Sequence, residues 1–107
     1  MVSFERFTKL FSGDLPPAAC VEIEFSLIGT DFRNCWMGKG HDAADPEKAV
    51  YWFGLAADGS AAYDFDTFAA FAGAPVFNGK SLEEMWDRVV LHSVDGCDPD
   101  EHPGWSM

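Results

Sequence analysis

Residues 49–56 read Ala-Val-Tyr-Trp-Phe-Gly-Leu-Ala, and this almost unbroken apolar run decides the fold of the chain. Its length and aromatic content favour a central β-strand that is covered on both faces. Asp58-Gly59 then supplies a turn dipeptide, and residues 61–65 return as the partner strand. The stretch therefore predicts a β-hairpin within an antiparallel sheet.

Two amphipathic segments precede the hairpin. Residues 3–12 place phenylalanine and leucine at spacings of three and four residues, which predicts a short helix with Ser3 as its N-cap and Gly13 as its stop. Residues 20–28 alternate between apolar and polar side chains, the pattern of a strand with one face in the core and one in water. The chain therefore opens with a helix and a half-buried strand.

Three further elements follow the hairpin. Asp66 is expected to cap a short helix that Gly73 ends. Ser81-Leu82-Glu83-Glu84 matches a capping box, in which a serine hydroxyl and a glutamate carboxylate each accept the other residue's backbone N–H, and it predicts a second short helix. Residues 89–94 are predicted to form the last strand.

Residues 29–48 show neither a helical nor a strand period, and they contain three glycines and a proline. They are predicted to form one long loop, with a brief helix at residues 32–37 left open. A connection of about 20 residues is unusual in a compact domain and tends to carry function. Any binding site is therefore expected here.

Together these elements predict a single α+β domain over residues 1–107. It has a small, mostly antiparallel sheet of three to four strands, with short helices packed on one face of the sheet. No internal repeat and no domain boundary interrupts the chain.

The charge balance is strongly acidic, with 18 aspartate and glutamate residues against 7 lysine and arginine residues and a net charge of −11. Residues 41–107 carry a net charge of −10, whereas residues 1–40 are close to neutral. Such a field repels phosphate backbones and anionic headgroups, which argues against nucleic-acid and membrane binding. It would attract a basic protein surface, although the charge could also serve solubility alone.

The cysteines and the N-terminus favour a cytoplasmic location. Cys20, Cys35 and Cys97 are an odd number without paired spacing, as expected of thiols in a reducing compartment. The first residues lack the basic start and apolar run of a secretory signal, and no apolar stretch approaches the roughly 18 residues that span a bilayer.

A zinc site could use Cys35 with His41 and Cys97 with His102, two thiols and two imidazoles that suit tetrahedral zinc. The spacings are not those of the Cys-x2-Cys pairs of zinc knuckles, so no metal and no cofactor are expected. Cys35 is also a candidate reactive thiol, because Arg33 and His41 lie nearby in sequence and a cation lowers a thiol pKa. Packing beside Trp36 is the simpler interpretation.

The strongest binding signal is Arg33 with Trp36, because arginine and tryptophan are enriched at the hot spots of protein interfaces. The predicted partner-binding residues are Arg33, Trp36, His41, Asp42 and Asp45. The competing interpretation is that Trp36 covers one end of the core and Arg33 pairs with a neighbouring acid.

The sequence thus predicts a non-enzymatic, acidic interaction module that binds a basic partner protein, in the manner of an inhibitor or neutraliser. The alternative is a small enzyme or metal-binding protein that uses Cys35, His41, Cys97 and His102. A structural homodimer is a third hypothesis.

Overall fold

The structure of the chain, a computed structural model, describes residues 3–12, 21–45, 47–56 and 61–101. Two α-helices, five strands and two 3₁₀ turns lie within these ranges. In chain order they are α1 (Phe4–Ser12), β1 (Val21–Leu27), β2 (Cys35–His41), β3 (Ala49–Gly54), β4 (Ala62–Phe65), α2 (Phe68–Gly73), the 3₁₀ turn Trp86–Arg88, β5 (Val89–Val94) and the 3₁₀ turn Pro99–Glu101.

The strands form one sheet in the order β4-β3-β2-β1-β5, and every neighbouring pair is antiparallel. The predicted α+β class with an antiparallel sheet is therefore confirmed. The sheet has five strands among the described residues instead of three to four. The predicted β3–β4 hairpin also forms, although residues 57–60 of its turn lie outside the described residues.

The additional strand is β2, and it shows that the prediction of a long loop over residues 29–48 was wrong. Cys35, Met37 and Lys39 alternate towards the core, and Lys39 is only 3 % exposed with its ammonium 5.4 Å from the centre of the Tyr51 ring. Gly38-Lys39-Gly40 shows no alternation of apolar and polar residues, so the sequence does not indicate a strand here. The segment is a strand because it pairs with β1 on one side and with β3 on the other. The segment between β1 and β2 is a turn, without the brief helix at residues 32–37.

The core lies on one face of the sheet, beneath both α-helices. Its centre is a stack of phenylalanine rings in which Phe53 of β3 and Phe71 of α2 are nearly parallel, with centroids 4.1 Å apart. Phe11 of α1 stacks on Phe71 at 5.4 Å and on Phe7 at 5.0 Å. Because both helices pack on this face, β3 is covered on one side only, and β4 separates it from the sheet edge.

Two helix starts differ from their predictions. The N-cap of α2 is Thr67, whose Oγ1 accepts the Ala70 N–H at 3.1 Å, and Asp66 instead forms an ion pair with Lys48 at 3.2 Å. An N-cap side chain accepts the N–H of a residue two or three positions later. Thr67 stands three positions before Ala70 and accepts its N–H, so Thr67 and not Asp66 is the cap.

The capping box forms as predicted, but no α-helix follows it. The Ser81 N–H donates to Glu84 Oε1 at 3.0 Å, and the Glu84 N–H donates to Ser81 Oγ at 3.1 Å. The chain then continues through turns into the single 3₁₀ turn at Trp86–Arg88. Trp86 is drawn into the core against Phe7, at 4.5 Å between ring centroids, so tertiary packing ends the helical segment early.

Candidate functional site

The face of the sheet that points away from the helices is the first candidate site, and we call it the open face. Its side chains alternate along the strands with those of the core. It comprises Glu22, Glu24 and Ser26 of β1, Trp36, Gly38 and Gly40 of β2, Val50, Trp52 and Gly54 of β3, Ala62 and Asp64 of β4, and Val90 and Ser93 of β5. Every one of them except Gly38 keeps some exposure to solvent.

Two tryptophans face two glycines across the centre of this face. Trp36 pairs with Gly54, and Trp52 pairs with Gly38 in the β2–β3 register. The indole of Trp52 lies directly over Gly38, so that a Cβ at this position would overlap the ring. A Cβ at Gly54 would stand 3.9 Å from both tryptophan side chains, which places Gly54 between them.

The two indoles and their surroundings enclose a shallow cleft of about 490 Å³, which we call the indole cleft. Its lining consists of Glu22, Asn34, Trp36, Trp52, Gly54 and Ala56. The lining thus combines two indoles, a glycine and a single carboxylate, that of Glu22. Aromatic faces next to a carboxylate attract cations.

The charge of the open face has a single sign. Glu22, Glu24 and Asp64 are its ionisable side chains, and no lysine or arginine occupies any of its strand positions. The Asp95 carboxylate lies at the start of β1, where its Oδ1 accepts the Glu22 N–H at 2.9 Å. The carboxylates therefore give the open face a negative potential.

The five predicted partner-binding residues do not form one loop. Trp36 lies on the open face, and Arg33 lies in the turn before β2. His41 ends β2, and Asp42 and Asp45 follow it in the turn to β3, at the opposite end of the strand. The structure thus separates Trp36 and Arg33 from the other three.

The proposed metal ligands are also far apart. Cys35 and His41 stand at the two ends of β2, roughly 20 Å apart at about 3.3 Å per residue. His102 lies outside the described residues, and Cys97 is exposed after β5. In the part of the chain that the structure describes, no group of three or more histidine, cysteine, aspartate or glutamate side chains is placed to hold a metal ion.

Cys35 is not placed as a nucleophile. Its thiol lies 4.0 Å from the Leu55 carbonyl oxygen, inside the core. Burial raises the pKa of the Cys35 thiol to about 11, so the reactive thiolate is scarce at neutral pH. Cys35 is a packed core residue, as the simpler interpretation of its sequence position holds.

A second, larger cleft of about 810 Å³ lies where β1 turns into β2, and we call it the arginine cleft. Residues 26–31 line it together with Arg33, Asn78 and His92. Ser26 Oγ and His92 Nε2 are 2.8 Å apart, which joins β1 to β5 at this end of the sheet. In serine hydrolases a hydroxyl beside an imidazole acts as a nucleophile when a third group, usually a carboxylate, orients the imidazole. Among the described residues, no carboxylate forms a hydrogen bond with His92.

Sequence reasoning missed Trp52, Glu22 and Glu24 as binding candidates. A usable signal was present, because Trp-x-Gly occurs twice, at residues 36–38 and 52–54. Two such motifs on antiparallel neighbours place each tryptophan opposite a glycine. The motif becomes informative only when both segments are strands, and the first was predicted to be a loop.

Comparison with known protein families, with curated proteins and with solved structures found no match to this chain. Among the described residues, no helix is both long enough and apolar enough to cross a bilayer. The functional argument therefore rests on the two clefts and the open face.

Proposed function

We propose that this chain is a non-enzymatic, acidic interaction module whose open face binds a lysine- or arginine-rich segment of a partner protein. The observation that carries the proposal is the pair Trp36, which is exposed, and Trp52, which is partly exposed; both line one cleft on a face with three carboxylates and with no lysine or arginine at its strand positions. An inhibitor or neutraliser of a protein with a basic groove would need such a surface.

Charge complementarity selects the occupant. Opposite potentials steer two proteins together and disfavour partners of like charge, so a face that carries only carboxylates favours a cationic segment. Glu22 and Glu24 belong to the first 40 residues, which are nearly neutral as a whole. The proposal therefore depends on the carboxylates of the open face. It does not require the negative charges of residues 41–107 to lie on one side of the molecule.

The indole cleft would supply the anchor. A guanidinium or ammonium placed against an indole gains about 0.5–2 kcal/mol from the ring quadrupole. Trp36 is 40 % exposed and is therefore accessible, and the absence of a side chain at Gly54 lets a partner approach the backbone between the rings. The proposal places the interaction in the cytoplasm, because the odd number of cysteines suits a reducing compartment.

The test is calorimetric titration of the protein with a nine-residue peptide of alternating lysine and arginine in 50 mM NaCl. We expect binding that 300 mM NaCl weakens. Trp36→Ala, and separately the double variant Glu22→Gln/Glu24→Gln, should each weaken it by about tenfold. The matched control is Glu83→Gln/Asp87→Asn, which removes the same charge from the segment beside Trp86 and should bind nearly as the parent does.

Two outcomes would overturn the proposal. Equal losses in the two double variants would show that the peptide responds to net charge and not to the open face. Concentration-dependent dimerisation in sedimentation equilibrium, abolished by Trp36→Ala, would assign the open face to a second copy of the chain.

A further inference from the structure

We infer that the arginine cleft is a binding site for an oxyanion, the phosphate or carboxylate group of a small ligand, with Arg33 as its principal contact. The inference is independent of the proposed function, since the cleft shares only Ser26 with the open face and its ligand has the opposite charge.

Two guanidinium groups lie in or beside the cleft. Arg33 lines the cleft, and Arg88 reaches its wall from the 3₁₀ turn that precedes β5, since its Nη1 donates to the Ile28 carbonyl oxygen at 3.3 Å. The same Nη1 lies 3.2 Å from the position that a Cβ of Gly29 would occupy. The chain has only seven lysine and arginine residues; one of them lines this cleft and a second contacts its wall.

Neither guanidinium group is engaged by a described carboxylate. The chain has 18 acidic residues, yet neither arginine forms an ion pair with any carboxylate in the described ranges. Arg33 donates no hydrogen bond to a described residue, and Arg88 donates one. The N–H groups of Arg33, and those of Arg88 other than the one bonded to Ile28, are therefore available to a ligand.

The remaining lining groups suit an oxyanion. Asn78 is held by backbone at φ 54°, in a turn where its exposed amide can donate, and His92 is positioned by Ser26. Thr30 Oγ1 fixes the wall, because it donates to the Leu27 carbonyl oxygen at 2.8 Å and accepts the Phe32 N–H at 3.0 Å. A turn that is rigid before binding lowers the entropic cost of holding the ligand.

The local charge has the sign that an oxyanion needs. Asp31 is the one carboxylate in the lining, whereas there are two guanidinium groups, that of Arg33 in the lining and that of Arg88 beside Ile28 and Gly29. These three groups together carry a formal charge of +1 on a molecule of net charge −11. The planar guanidinium offers two parallel N–H groups that match two oxygens of a carboxylate or phosphate.

The experiment is titration of the ¹⁵N-labelled full chain with sodium phosphate and, separately, with sodium acetate at constant ionic strength, followed by ¹H–¹⁵N correlation spectra. We expect saturable shifts of the Gly29, Thr30 and Asn78 amides. Arg33→Gln should weaken binding about tenfold or more, because a charge-assisted pair of hydrogen bonds is lost. Lys48→Gln is the matched control, since it removes one exposed positive charge at the other end of the sheet, and binding should be unchanged.

The two anions distinguish the sources of the ligand group. Saturable shifts with phosphate alone support a phosphorylated ligand, those with acetate alone support a carboxylate ligand, and shifts with both support the shared oxyanion chemistry. Shifts that do not saturate with either anion would overturn the inference. So would equal weakening in Arg33→Gln and Lys48→Gln, which would reduce the effect to net charge.

Discussion

A side chain at Gly38 would disturb the open face most, because the Trp52 indole occupies the place that a Cβ would take. Gly38→Ala would drive a methyl group into the ring and force Trp52 out of its place. We expect a loss of about 1–3 kcal/mol in the free energy of unfolding, the usual cost of overpacking, together with a shift in tryptophan fluorescence.

Gly54→Ala provides the control for this prediction. The new Cβ would meet both tryptophan side chains at 3.9 Å, an ordinary van der Waals separation. Urea unfolding should therefore find Gly54→Ala within about 0.5 kcal/mol of the parent chain, as is usual for surface substitutions without a steric conflict. Equal stabilities of the two variants would show that the indole does not lie over Gly38.

At the scale of elements, the capping box is a pH-sensitive start to the segment between α2 and β5. Hydrogen bonds from the Ser81 backbone and side chain, with a smaller contribution from Lys80, lower the pKa of Glu84 from its ordinary value of 4.5. Because the folded-state pKa lies below the unfolded one, the stabilisation is present above pH 4.5 and is lost as the pH falls through the lower value.

Glu84→Gln tests this dependence. Glutamine keeps an oxygen for the Ser81 N–H but does not titrate, so its free energy of unfolding should fall less than that of the parent between pH 5 and pH 3. Urea titrations at several pH values measure the difference. Glu83→Gln removes the neighbouring exposed charge outside the capping box and should retain the parent's slope, whereas identical slopes for all three proteins would contradict the assignment.

The whole molecule carries too much charge of one sign for ion pairs to offset it. Lys9–Glu5 and Lys48–Asp66 are both exposed pairs, of the kind that contributes about 1 kcal/mol or less. Self-repulsion from a net charge of −11 acts across the whole surface, and added salt screens it. Salt should therefore stabilise the fold.

Raising NaCl from 10 to 300 mM is expected to increase the Tm by about 4 °C, which corresponds to ~1 kcal/mol for a domain of this size. Differential scanning calorimetry measures the change. The Glu83→Gln/Asp87→Asn variant, with two fewer negative charges, should respond less. A Tm that falls with salt would mean that attractive pairs outweigh the repulsion.

A sequence prediction succeeded where the pattern behind it lies within a few neighbouring residues, and it failed where the structure depends on contacts between distant segments. β1 and β3 were predicted because their own alternation or apolar content is sufficient, and the capping box because it is local to four residues. β2 was missed because its buried Lys39 and its glycines make sense only beside the neighbouring strands. The helix after Ser81 was wrong because the docking of Trp86 against α1 outweighs local propensity.

The sequence by itself determined the α+β class, the hairpin and the excess of negative charge, since these depend on residue type and short-range order. Only the tertiary structure decided which side chains meet. It brought Trp36 and Trp52 into one cleft, and it placed Arg33 and His92 in the lining of another, with Arg88 beside it. The physical reason is that strand pairing and packing act between residues far apart in the chain, and no local pattern encodes their distances.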